Sequence, residues 1–75
     1  MKRNRYHILY KKDEWILKKE GKREPLKSFR TKKEAEDYGR KIARKEEPSQ
    51  LILHKKDGKI EKEYTYGQDP RKYKG

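Results

Sequence analysis

The sequence predicts an α+β domain of order β-β-β-α-β-β: a five-stranded, mostly antiparallel sheet with one helix packed across one face. Three observations carry that expectation. Apolar residues alternate in RYHILY, EWILKK and QLILHKK, the period of strands that bury one face. A single stretch from Thr31 changes to a helical period. Asp57-Gly58 lies just beyond the last alternating run, in a pattern that favours a two-residue hairpin turn.

In residues 5–10, Tyr6, Ile8 and Tyr10 fall on one face, and Arg5, His7 and Leu9 on the other. After the polar KKD, residues 14–19 alternate again, with Trp15 and Leu17 opposite Ile16 and Lys18, so strands one and two form a hairpin. Gly21 and Pro25 bracket a break, and PLKSFR supplies a short third strand with Leu26 and Ser28 opposing Lys27 and Phe29. TKKE at 31–34 is a capping box, in which the Thr31 hydroxyl accepts the amide hydrogen of Glu34. Ala35, Tyr38, Gly39, Ile42 and Ala43 then form one apolar stripe, and Pro48 ends the helix. Gly39 costs about 1 kcal/mol in helix propensity, and its expected use is a close approach to the sheet over Trp15.

With a two-residue Asp57-Gly58 turn, Lys56 faces Lys59, Leu53 faces Lys62, Leu51 faces Tyr64, Ile52 faces Glu63 and His54 faces Glu61. Strand five then turns Ile60, Tyr64 and Tyr66 inward, and Glu61, Glu63 and Thr65 outward. The predicted core is Tyr6, Ile8, Trp15, Leu17, Ala35, Tyr38, Ile42, Leu51, Leu53, Ile60 and Tyr64. Residues 1–66 make one domain, and residues 67–75 a basic C-terminal tail.

Composition narrows function. At 28% hydrophobic, the 75 residues can build one thin core and no second domain. Without cysteine there is no disulfide or thiolate metal site to reinforce it. Neither a signal-peptide core nor a membrane-length apolar run is present, so a cytoplasmic protein with no membrane role is expected. A net charge of +11 points to a polyanionic partner, DNA or RNA. The competing reading is a solvated surface laced with ion pairs, as in heat-adapted proteins.

Enzyme signatures are missing: there is no phosphate-binding glycine loop, no nucleophilic cysteine, and Ser28 and Ser49 read as strand-edge or loop residues. The expectation is a non-enzymatic binding module with no cofactor and no metal. His7 and His54 share the outward face, where His54 is expected to pair with Glu61 across the hairpin rather than bind a metal. The candidate nucleic-acid contacts are Lys2, Arg3, Arg5, Lys11, Lys12 and Lys18 around the first hairpin, and Arg71, Lys72 and Lys74 in the tail. Tyr10, Phe29, Tyr66 and Tyr73 are aromatics without a core duty, open to stacking on bases. Leu9, Ile16 and Ile52 on the outward face form the alternative site, an interface with a protein partner or a second copy of the chain. Single exposed aliphatics are also ordinary on such a face.

Taken together, RYHILYKKDEWILKKEG, TKKEAEDYGRKIARKE and LILHKKDGKIEKEYTYGQDPRKYKG resemble the small bacterial family known as domain of unknown function 2188. The shared pattern is a leading Tyr-His strand, a tryptophan with aliphatic alternation, a threonine-capped helix, an aliphatic strand ending in histidine, Asp-Gly-Lys-Ile, and a closing Tyr-Gly-x-Asp-Pro. Residues 54–70 carry its most specific part. The resemblance implies a small single domain, and no catalytic or binding residues come with it.

Overall fold

The computed structural model describes residues 3–67. Its elements are β1 (Asn4–Lys11), β2 (Glu14–Lys19), β3 (Lys27–Phe29), α1 (Lys32–Lys45), β4 (Ser49–His54) and β5 (Ile60–Tyr66), the predicted order. The five strands form one sheet ordered β3-β2-β1-β4-β5. β1 and β4 pair in parallel at its centre, while the other three pairings are antiparallel. The sheet is therefore mixed, and β1 and β4 point their C-terminal ends the same way.

Alternation in β1 and β2 places Tyr6, Ile8, Tyr10, Trp15 and Leu17 under the helix. Ile8, Leu17, Leu51 and Leu53 are essentially sealed from solvent, and each such side chain contributes about 1.5–3 kcal/mol by leaving water. Tyr38, Ile42 and Tyr64 are partly buried against this cluster, and Ala43 completes it. The helix begins as expected: Thr31 is extended (φ −120°, ψ 155°), and its hydroxyl accepts the Glu34 amide at 3.1 Å. Arg44 and Lys45 lie in the last turn, where the helix dipole favours cations.

Gly39 seats the helix, but not over Trp15. A Cβ there would stand 3.1 Å from both Ile8 Cδ1 and Leu51 Cδ1, so the close approach falls where the two central strands meet. Ser49, expected at an edge or in a loop, is fully buried at the start of β4, and its hydroxyl donates to the Ala43 carbonyl. Asn4 closes the same corner: its side chain donates to the Glu46 carbonyl at 2.8 Å, and its amide to that of Pro48 at 2.9 Å.

The last hairpin departs from its prediction at the tip. Lys55 N–H donates to the Lys59 carbonyl (2.7 Å) and Gly58 N–H to the Lys55 carbonyl (2.9 Å), so Lys56, Asp57 and Gly58 form a three-residue loop. The positive φ of 96° falls on Gly58. This loop would slip the register by one residue, and a bulge at Glu61 restores it. Consequently His54 faces Ile60, while Leu53 still faces Lys62, and Leu51 still faces Tyr64.

Two assignments change with that bulge. Ile60 is not core; it shares the outward face with His54 and is 55% exposed. Glu61 does not face outward to meet His54; its carboxylate pairs with Lys32 in the first turn of the helix. Tyr10, Phe29 and Tyr66, left open to base stacking by the sequence, all pack against the buried cluster, Tyr66 on the inward side expected of strand five.

Candidate nucleic-acid interface

Parallel pairing of β1 with β4 puts the β1–β2 turn beside the β4–β5 loop. Their contact is direct, since Lys56 Nζ lies 4.8 Å from the centre of the Tyr10 ring. This end of the sheet therefore carries exposed Lys11 and Lys12 on one tip and exposed Lys55, Lys56 and Lys59 on the other. Three carboxylates share these tips: Asp13 accepts the Tyr10 hydroxyl at 3.0 Å, Asp57 accepts the Lys59 amide at 2.9 Å, and Glu14 stands opposite Lys11. The Tyr10 hydroxyl is correspondingly held above its usual pKa, first by that hydrogen bond to Asp13.

The predicted contact residues do not form one group. Arg3 precedes β1 and Arg5 stands near its start, where Arg5 lies 3.8 Å from Glu20, whereas Lys11 and Lys12 lie at the opposite end. Lys18 is opposite His7 on the outward face. The loop after β2 adds Lys22 and Arg23 near Lys18. Lys2, Tyr73, Arg71, Lys72 and Lys74 lie outside the described residues. Lys55, Lys56 and Lys59 escaped the sequence reading because their neighbours depend on the β1–β4 pairing, which leaves no local signal.

Among the described residues, most of the cations are not consumed by ion pairs. Among the described residues the pairs are Arg5–Glu20, His7–Glu20, Lys32–Glu61 and Lys33–Asp37, with no extended network. Lys32 holds the Glu61 carboxyl below the usual carboxylate range through its hydrogen bond.

Aromatic faces are also occupied from within. Lys27 sits 5.0 Å from the Tyr38 centroid and 5.8 Å from that of Phe29, Lys32 lies 5.7 Å from Trp15, and Arg40 lies 4.7 Å from Tyr64. Lys19 approaches Tyr6 in the same way at 5.9 Å. Rings packed on the core and faced by the protein's own cations offer little platform for stacking bases. Tyr64 is tied down further by its hydroxyl bond to Glu36, the main cause of its raised pKa.

On the outward face, Leu9 and Ile16 are partly exposed, while Ile52 is only 6% exposed between its neighbours. Ile60 is the aliphatic that the sequence reading missed there. The same face carries a chain of polar contacts. Glu20 Oε1 is 2.7 Å from His7 Nε2, His7 Nδ1 is 3.0 Å from His54 Nε2, and His54 Nδ1 is 3.0 Å from the Gly58 carbonyl oxygen. The hydrogen bond from His7 is the main reason that Glu20 sits below the ordinary carboxylate range. Among the described residues, no three His, Asp or Glu side chains cluster closely enough for a metal ion, and no helix is long and apolar enough to cross a membrane.

The geometry defines a small α+β domain in which a mixed sheet carries one helix on one face and a lysine-bearing pair of hairpin tips at one end. The chain belongs to the family DUF2188, described as an uncharacterized protein conserved in bacteria, whose family model matches residues 6–66. That span closes on Tyr66, the last residue of β5. Comparisons with curated proteins and with solved structures return no match.

Proposed function

We propose that this domain is a non-enzymatic module that binds DNA or RNA non-specifically, by contacting phosphates through its basic surface. The observation that carries the reading is that the parallel pairing of β1 with β4 sets the tip bearing Lys11 and Lys12 beside the tip bearing Lys55, Lys56 and Lys59 at one end of the sheet, where the lysines outnumber the carboxylates of Asp13, Glu14 and Asp57. Arg3, Arg5 and Lys18 provide a second group at the other end of β1. Coverage of the aromatic faces favours phosphate contact over base stacking, hence little sequence preference. The fewness of ion pairs among the described residues speaks against a surface arranged only for heat adaptation.

The test is binding to short duplex and single-stranded oligonucleotides over a salt series. Log affinity falls linearly with log salt, at about −0.9 per neutralised phosphate on duplex DNA. Replacing Lys11, Lys12, Lys55 and Lys56 together with glutamate removes binding at 50 mM salt, on the order of 10–100-fold or more, while the circular dichroism spectrum is unchanged. Affinity independent of salt, or an unweakened variant, refutes the proposal.

A second reading rests on the outward position of Ile60 beside Leu9 and Ile16. It is a self-association or protein-binding face. Sedimentation of the wild type against an Ile16→Lys, Ile60→Lys variant decides it. A wild type that stays monomeric and retains no protein partner removes that reading.

A further inference from the structure

The contacts joining Glu20, His7, His54 and Gly58 can be counted for protons. A backbone carbonyl only accepts, so His54 Nδ1 must carry a hydrogen to meet the Gly58 oxygen at 3.0 Å. The Glu20 carboxylate, ionised below the ordinary range, also only accepts, so His7 Nε2 must carry a hydrogen to meet it at 2.7 Å. Between the rings, His7 Nδ1 and His54 Nε2 stand 3.0 Å apart, and one hydrogen must lie between them. Three ring hydrogens are needed to satisfy every contact. Two neutral imidazoles supply two.

We infer that His7 and His54 together hold one proton beyond neutrality, forming a pH-dependent clasp that ties the β2 end to the β4–β5 loop across the outward face. The charge resides on His7, which touches the Glu20 carboxylate, and His54 stays neutral with its hydrogen on Nδ1. His7 then donates from both nitrogens, to Glu20 and to His54. The ion pair with Glu20 leaves the triad with no net charge, which fits its partly covered position between β1 and β4. Lys18 opposite His7, Arg5 beside Glu20, and Lys22 and Arg23 in the following loop all oppose further protonation. Glu63 faces Ile52, the parallel partner of His7, and supplies the other nearby anion.

The clasp is complete only between its two protonation steps. When the pH rises and the shared proton leaves to solvent, two ring hydrogens remain for three contacts, and one of those to Glu20, between the rings, or to the Gly58 carbonyl is given up. When the pH falls and a second proton arrives, two N–H groups confront each other and the ring-to-ring contact opens. At low pH the unfolded chain binds more protons than the clasp, so stability rises with pH there. At higher pH the clasp retains a proton the unfolded chain has lost, so stability falls again. The contribution is therefore a maximum between the steps, and its loss breaks the side-chain tie to the loop that carries Lys56 and Lys59, which its own backbone hydrogen bonds still close.

Long-range nitrogen–proton NMR spectra of the imidazoles in the full chain, recorded across pH, test this directly. Between the steps, His7 is expected to be protonated on both nitrogens, and His54 on Nδ1 alone. Glu20→Gln moves the high-pH step to lower pH. Denaturation across pH gives a stability maximum in the wild type that flattens in His54→Ala, which leaves the opposite face untouched. Two neutral rings at every pH above a single common step, or His54 found with its hydrogen on Nε2, overturns the clasp. So does a stoichiometric change of both rings on adding Zn2+, which would put a metal where the proton is assigned.

Discussion

The two hairpins of this domain reach regular pairing by opposite routes. The β1–β2 hairpin has no favourable turn sequence, yet its turn has two residues, with Lys12 and Asp13 both at positive φ (48° and 63°). The β4–β5 hairpin has the favourable Asp57-Gly58, yet closes through a three-residue loop and repairs its register with a bulge at Glu61. The difference shows what sets register here. In the first hairpin, Tyr6, Ile8, Tyr10, Trp15 and Leu17 must all face the helix, and a one-residue slip would turn that set to water. Burial dictates the turn, and the turn residues accept an unfavourable backbone. In the second, β5 contributes only partly buried Tyr64 and Tyr66, so the loop takes the geometry its glycine prefers and the strand adjusts.

The largest test of this contrast is truncation of the side chain that anchors each hairpin. Trp15→Ala is expected to cost about 3–5 kcal/mol, whereas Tyr64→Ala on half-buried β5 costs about 1–2 kcal/mol, both read by urea denaturation. Equal losses would mean that β5 fixes the core as firmly as β2. Next comes Gly39→Val, which presses on Ile8 of the first hairpin and Leu51 of the second. A loss of about 2–3 kcal/mol is expected from overpacking.

The turns themselves should respond with opposite signs. Lys12→Asn with Asp13→Gly relieves two positive-φ residues and is expected to stabilise by about 1 kcal/mol, raising Tm by about 4–8 °C. Gly58→Ala, at φ 96° with open space around it, costs about 1 kcal/mol from backbone strain alone. The smallest effect concerns the bulge. Because Lys32 lowers the Glu61 pKa, the pair stabilises above the unfolded carboxylate range and the benefit is lost as pH falls through the folded value. Glu61→Gln should flatten that acid limb slightly. Deleting Glu61 should leave a folded domain with a regular hairpin, and an unfolded product would show that the bulge does more than correct the register.

Where an element followed from neighbours along the chain, it was legible. The capping Thr31, the stripe Ala35–Ala43 and the alternation of Trp15 with Leu17 each need only a few adjacent residues to be read. Ile60 and Glu61 were misplaced because the Asp-Gly pair marks where a positive φ falls without stating the loop length. Ser49 looked like a loop residue because its partner, the Ala43 carbonyl, belongs to a helix end whose direction the sequence does not specify. The candidate site was half legible: Lys11 and Lys12 were visible as a basic turn, but Lys55, Lys56 and Lys59 had no apparent relation to them.

By itself, the sequence determined the α+β class, the six elements in order, most of the buried cluster and the excess of positive charge, because periodicity and composition act locally. Tertiary structure alone decided that β1 and β4 lie side by side in parallel. A contact between strands so distant along the chain rests on packing beneath the helix, at Ile8, Leu51 and Gly39. That one pairing brings the two lysine-bearing tips together and sets His7 against His54.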